Sequence, residues 1–319
     1  MTSSSPNAPT QMGKRSDSEK TLDGVFFGLT RAFAIGIGLI LVAIAAVIFL
    51  EALPAISKFN IGFLFSNKWN PVENVYGAWP VIYGTIVSAI IALVIAVPLG
   101  IGTALFLSEN FIPKKIRTVL TFLVELLAAV PSVVYGLWGL NISNQVFVPL
   151  ATWLNANFSW FPLFNTPPTG NQGMLPAGII LAIMVLPIIT AISRDSLASL
   201  PPELRQASLG LGATRWETIF RVLIPAAFSG IVGGIMLGLG RAMGETMAVT
   251  MLIGNANNVS SSILAPANTI SSLLASQFAE ASGLQVSALM YAGLVLMILT
   301  LIVNVLADRI VSQVKAKYN

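Results

Sequence analysis

The chain has 319 residues, 55% of them hydrophobic and only 9% charged, with a mean hydropathy of +0.82 and a formal net charge of +4. Water-soluble domains carry about 25% charged residues, so much of this surface must face something other than water. Cysteine and histidine are both absent, which excludes disulfides, thiolate nucleophiles, zinc–thiolate sites and the serine–histidine and cysteine–histidine systems of ordinary hydrolases.

Residues 1–20 (MTSSSPNAPTQMGKRSDSEK) are polar and lack the short apolar core and small-residue cleavage site of a signal peptide. They read as a disordered cytoplasmic tail, and 21–319 as one membrane domain, because apolar segments recur evenly along it. A crossing helix needs about 20 mostly apolar residues. Charge-free runs lie between Arg31 and Glu51, Glu73 and Glu109, Glu125 and Arg194, Arg221 and Arg241, Glu245 and Glu280, and Glu280 and Asp308. They predict an all-α integral membrane protein with six spans, near 25–51, 79–107, 116–140, 174–194, 218–252 and 284–308. The first turns of the long fifth span are expected to project into the cytoplasm. Segments 52–78, 142–173 and 254–280 are rich in Asn, Ser, Pro and Trp and read as loops or short interfacial helices. Pro98, Pro131 and Pro187 fall inside predicted spans, where neighbouring helices can tolerate a kink.

Orientation follows from the placement of basic residues. With the N-terminus inside, every lysine and arginine except Lys58, Lys68 and Arg241 falls on the cytoplasmic side. Both termini are then cytoplasmic, and the basic balance is explained without nucleic acid.

The most informative stretch is SLPPELRQASLGLGATRWETIFRVLIP, from Ser199 to Pro225, in a cytoplasmic loop spanning about 195–217. Pro201 and Pro202 suit the first turn of a helix, and Glu203 complements its positive end. Gly210 and Gly212 supply a stop and a reversal. Thr214 and Glu217 have the spacing of a capping box for the next helix. The predicted unit is a short helix, a glycine turn and a second helix entering the membrane, which suits a mechanical coupler.

This loop resembles the coupling motif of ABC-importer permeases, which runs Glu-Ala-Ala, three residues, Gly, nine residues, then Ile-x-Leu-Pro. Gln206, Ala207 and Ser208 stand at its first three positions, Gly212 at the glycine, and Val222-Leu223-Ile224-Pro225 at its end. Gln206 replaces the acidic residue and Ser208 the second alanine. The resemblance implies a type I, MetI-like permease fold with a cytoplasmic coupling helix. It also implies that Glu203, Gln206, Ala207, Ser208, Gly212 and Pro225 belong to the ATPase-coupling surface.

A second signal lies in the predicted fifth span, GLGRAMGETMAV, residues 238–249. An arginine at the bilayer centre costs at least ~3 kcal/mol, so Arg241 is expected to face the protein interior or an aqueous path. Glu245, four positions on, shares its helical face and can pair with it. Glu125, in the third span, is a candidate cross-helix partner. A guanidinium fork suits a tetrahedral oxyanion, so Arg241, Glu245 and Glu125 are candidates for a substrate pathway; a structural ion pair is the other reading. Gly230, Gly234 and Gly238 are spaced for close helix contact, either with a paired permease subunit or within one bundle.

Together GLGRAMGETMAV and ELLAAVPSVVYGLWG, beginning at Glu125, resemble the permease subunits of phosphate-specific ABC importers, of the PstC type. That resemblance implies a heterodimer with a PstA-type permease, two ATPase subunits and a periplasmic or surface-tethered phosphate-binding protein. It places the chain in a bacterial inner membrane. No GxxxxGK[ST] phosphate loop occurs, so ATP hydrolysis is expected on a separate subunit, with no cofactor or metal in this chain. Rival readings are a permease for molybdate, sulfate or phosphonate, a gradient-driven secondary transporter, and an intramembrane enzyme using Glu125 and Glu245 as a carboxylate pair.

Overall fold

A computed structural model describes residues 17–109 and 111–318. Every described regular element is a helix, apart from a single bridge between Asn70 and Val75. The chain divides into two units at Leu50/Glu51, within helix α1 (Asp17–Phe59). In the first unit α1 is apolar all round, with exposed residues such as Phe26, Phe33, Leu39 and Val42, as suits a hydrocarbon environment. Of the tail expected over 1–20, residues 1–16 lie outside the described residues, and 17–20 already belong to α1.

The second unit begins with the end of α1 and continues through α2 (Gly62–Phe65), α3 (Trp79–Ser108), α4 (Lys114–Ala129), α5 (Ser132–Ile142) and α6 (Val148–Phe158). It then runs through α7 (Met174–Ala198), α8 (Pro202–Gly210), α9 (Arg215–Thr218), α10 (Ile224–Gly244), α11 (Met247–Leu252), α12 (Ile270–Gln277) and α13 (Leu284–Tyr318). Five helical stretches are long and apolar enough to cross a membrane, or six if the bent pair 114–129 and 132–158 is one span.

Helix α7 is the centre of this unit. Ile180, Leu181, Val185 and Ile189 are fully buried, Ile189 between Gly100 of α3 and Gly238 of α10 and Ile180 against Gly139 of α5. The predicted small-residue stripe of α10 is used within the chain. A Cβ at Gly238 would lie 3.0 Å from Ile189 and one at Gly234 3.2 Å from Ile192, while one at Gly230 would overlap the Ser196 hydroxyl. A second cluster joins the end of α1 to α2, α12 and α13, with Phe63 stacked on Tyr291 at 4.4 Å.

Three sequence expectations are corrected. The third span does not run straight through 116–140; it turns by 91° between α4 and α5. Pro131 has no N–H, so the Leu127 carbonyl loses its usual helical donor and accepts instead from Val130 N–H at 3.4 Å and from the Tyr135 hydroxyl at 2.9 Å. The fifth span does not continue to 252; its helix stops at Gly244. Finally, 254–280, expected as loops or short interfacial helices, does hold the short helix α12, but much of its irregular backbone is buried. Ser262, Leu264, Ala267, Asn268, Thr269 and Ile270 are buried. Their backbone is tied down by Met174 N–H to Ala265 O, Leu175 N–H to Ile263 O and Ala267 N–H to Ile253 O. Such pairing is what allows irregular backbone at depth in a membrane protein.

Candidate functional site

The loop between α7 and α10 folds as its local chemistry dictates. Helix α8 starts on Pro201, with Glu203 in its first turn, and ends at Gly210. Gly212 then takes φ +87°, a conformation that favours glycine because a Cβ would crowd the backbone. The Thr214 hydroxyl accepts from Glu217 N–H while the Glu217 carboxylate accepts from Thr214 N–H at 2.9 Å, so both halves of the capping box form. Ser208 and Thr218 share a hydroxyl–hydroxyl bond of 2.9 Å, which fastens α8 to α9.

Pro225 falls in the first turn of α10, after a π-helical turn over 219–223 in which Ile224 N–H reaches back to Ile219 O. That turn buries Ile219 and Leu223 against Ala104, Leu105 and Leu197 at the ends of α3 and α7. Glu203, Gln206 and Ala207 remain exposed on α8. Beside them lies a groove of about 290 Å³ lined by Glu109, Phe111, Arg205, Leu209, Arg215 and Ile219.

The Arg241 region departs from the spacing argument. Arg241 lies in the last turn of α10 and is exposed. Glu245, at the helix end, has extended backbone (φ −68°, ψ 128°), which swings its side chain off the Arg241 face. Among the described residues the two form no ion pair. Glu245 is 9% exposed and accepts a long bond, 3.5 Å, from Ala248 N–H at the start of α11. The carbonyls freed where α10 stops are met by hydroxyls: Ser271 donates to Met243 O at 3.1 Å and Thr246 to Gly244 O at 3.3 Å.

Glu125 is not brought to Arg241 either. It pairs across helices with Arg194 of α7 at 3.2 Å, and Arg194 also holds Asp195 at 2.7 Å. The group that does lie within electrostatic reach of Arg241 is Tyr135, the residue that satisfies the Leu127 carbonyl after the Pro131 break. Helix α11 packs on α5, where a Cβ at Gly136 would lie 3.1 Å from Ala248 Cα. The broken third and fifth spans therefore meet, with an exposed guanidinium at the junction.

Sequence reasoning missed Arg205, Glu109 and Arg194. Arg205 and Glu109 pair at 2.9 Å, joining the short helix to the end of α3. Glu109 stands at the end of a long charge-free run, beside the loop that receives it, but linear spacing cannot identify a partner so distant in the chain. The described residues contain no group of three or more acidic side chains arranged to hold a metal.

Comparison with known proteins agrees with this architecture. The model of the family described as "binding-protein-dependent transport system inner membrane component" matches residues 96–317. A protein of Mesorhizobium japonicum named phosphate transport system permease protein PstC is 42% identical over 92% of this chain and 91% of its own length. Its namesake in Pasteurella multocida is 41% identical over 92% of each chain. A probable PstC of Methanocaldococcus jannaschii is 39% identical over 84% of this chain and 87% of its own length. Among solved structures, a bacterial alginate ABC transporter aligns with TM-score 0.59 at 16% identity, over 93% of this chain and 96% of that one. The MetNI methionine ABC transporter aligns with TM-score 0.51 at 19% identity, over 75% of this chain and 94% of that one. The fold is thus that of a MetI-like transport permease, and the chain belongs to the family of inner membrane components of binding-protein-dependent transport systems.

Proposed function

We propose that the chain is the membrane-spanning permease subunit of an ATP-driven importer of inorganic phosphate. Its partners are a PstA-type permease, two ATPase subunits that carry the nucleotide chemistry, and a phosphate-binding protein on the outer face. Both termini lie in the cytoplasm, following the distribution of basic residues. No cofactor is assigned to this chain.

The observation that carries the phosphate reading is Arg241, exposed and without an ion pair among the described residues, where two broken spans meet. The names of the relatives support the same cargo. An uncommitted guanidinium offsets part of the cost of stripping water from a phosphate, and its fork of donors matches two phosphate oxygens. Glu245, turned away from it, leaves that charge free for the anion and belongs to the pathway by shaping the break. Glu125, held by Arg194, belongs to the pathway wall apart from Arg241.

ATP binding draws the ATPases together, and α8 carries their movement to α7 and α10. Glu203, Gln206, Ala207 and Ser208 on α8, the Gly212 turn and Pro225 form the coupling element. Nucleotide then shifts the population between inward-facing and outward-facing states through its different affinity for each. The test is radiolabelled phosphate uptake, with sulfate and molybdate as competitors, in cells carrying wild type or Arg241→Gln at matched membrane levels. Uptake lost with normal assembly is the expected result. Unchanged uptake would make Arg241 structural, and stronger competition by sulfate or molybdate than by unlabelled phosphate would reassign the cargo.

A further inference from the structure

The Arg205 guanidinium reaches the ends of two other helices at once. Nε and Nη2 donate to the Glu109 carboxylate at 3.1 and 2.9 Å, Nη2 to Leu197 O at 3.0 Å, and Nη1 to Leu200 O at 3.4 Å. Glu109 is the residue on which α3 ends, and Leu197 and Leu200 flank the end of α7. The two ionic side chains are sheltered, 23% and 16% exposed, so solvent screens them less than it screens surface pairs. A planar guanidinium fixes orientation as well as distance, which a lysine would not.

The direction of the grip matters as much as its strength. Arg205 reaches inward from α8, while Gln206 and Ala207, next along the chain, are exposed. A second link follows the same route: the Phe111 ring lies 6.2 Å from Phe106 of α3 and 5.9 Å from Trp216 of α9. The end of α3 is therefore fastened to both arms of the loop, although no stretch of the loop's own chain leads to it.

We propose that Arg205 and Glu109 form a strut through which displacement of α8 is passed to α3, so that three spans rather than two answer to the loop. The proposal rests on the permease reading above and makes both residues positioning residues for coupling. Chain continuity joins α8 to α7 and, through α9, to α10; α3 lacks such a connection and meets α8 itself through the ion pair, beside its packing on α7 and on Ile219 and Leu223.

The experiment uses the complete importer in proteoliposomes and reads oxyanion imported per ATP hydrolysed. Glu109→Gln should lower that ratio about tenfold, within the usual span of coupling between linked sites, while ATP hydrolysis and the amount of assembled complex stay near wild type. Exchanging the charges, Glu109→Arg with Arg205→Glu, should recover much of the ratio. A purely structural role would reduce uptake and hydrolysis together and leave the ratio unchanged, which overturns the strut.

Should the exchange variant fail to assemble, the cysteine-free chain permits a second route. Glu109→Cys with Arg205→Cys, bridged by a bifunctional thiol reagent long enough to replace both side chains, should restore the ratio that the unbridged form lacks. An unrestored ratio counts against the strut. Cargo is settled separately by what the wild type imports, so sulfate import would overturn the phosphate reading and leave the strut to be judged on sulfate imported per ATP.

Discussion

The Thr214–Glu217 cap and the Arg241–Glu245 pair rest alike on residues three or four positions apart, yet the structure realises only the first. At Thr214 and Glu217 the spacing was realised atom for atom, both halves of the capping box being present. At Arg241 and Glu245 it was not, because the helix that would have aligned them stops at Gly244. A capping box organises its own few residues and needs nothing from elsewhere. A same-face pair presupposes a helix, and here hydroxyls from Ser271 and Thr246, with α11 packed on α5, make stopping that helix inexpensive.

The sharpest way to break the comparison is to exchange the charges, Arg241→Glu with Glu245→Arg. Were the two a functional ion pair, the exchange would restore phosphate uptake lost in either single variant. We expect none, with uptake at background in the double variant.

Gly212 comes next. A Cβ there meets nothing within 4 Å, so the constraint is its φ of +87° alone. Gly212→Val should carry ~1–2 kcal/mol of backbone strain and uncouple ATP hydrolysis from uptake several-fold, by order of magnitude. Gly212→Asn, which tolerates the left-handed region, should stay close to wild type. Equal behaviour of the two would mean that the turn's conformation is not what couples. The smallest effect is expected for Glu125→Gln. Glu125 is 52% exposed and Arg194 keeps Asp195, so thermal unfolding of the detergent-solubilised complex should register a loss of under ~1 kcal/mol.

Hydropathy made the number and rough limits of the spans legible, since an apolar run of sufficient length has few other fates. The coupling loop was legible down to single residues for the reason already given. Pro131 announces a helix disturbance but not a 91° turn, because the contacts at the turn, among them the Tyr135 hydroxyl on the Leu127 carbonyl, come from beyond the proline. The segment after Ile253 reads as loops or short interfacial helices from its Asn, Ser and Pro content, and it does hold the short helix α12. In fact those residues supply the internal bonds that burial requires, such as Asn268 Nδ2 to Asn257 Oδ1 at 2.9 Å and Ser272 Oγ to Asn255 Oδ1 at 2.8 Å. Composition marks a segment as polar without saying whether its partners are water or protein. Ion pairs between residues distant in sequence, such as Arg205–Glu109, are out of reach for a related reason: a charge advertises that it needs a partner, not where that partner is.

Helix α3 is bound at both extremities. At one end Glu109 takes the guanidinium of the short loop helix. Near the other, Thr85 Oγ1 accepts from Ile270 N–H at 3.0 Å, and Gly84 admits the Asn268 carbonyl so closely that a Cβ would overlap it. The whole helix is 30 residues long, and the stretch from Thr85 to Glu109 spans about 36 Å at 1.5 Å per residue. Backbone seated directly on backbone leaves no flexible side chain to absorb a small displacement. A shift of an ångström imposed at Glu109 would therefore arrive at the buried 262–270 segment with little slack taken up there, so that α3 behaves as a tie rod between the two ends of the protein.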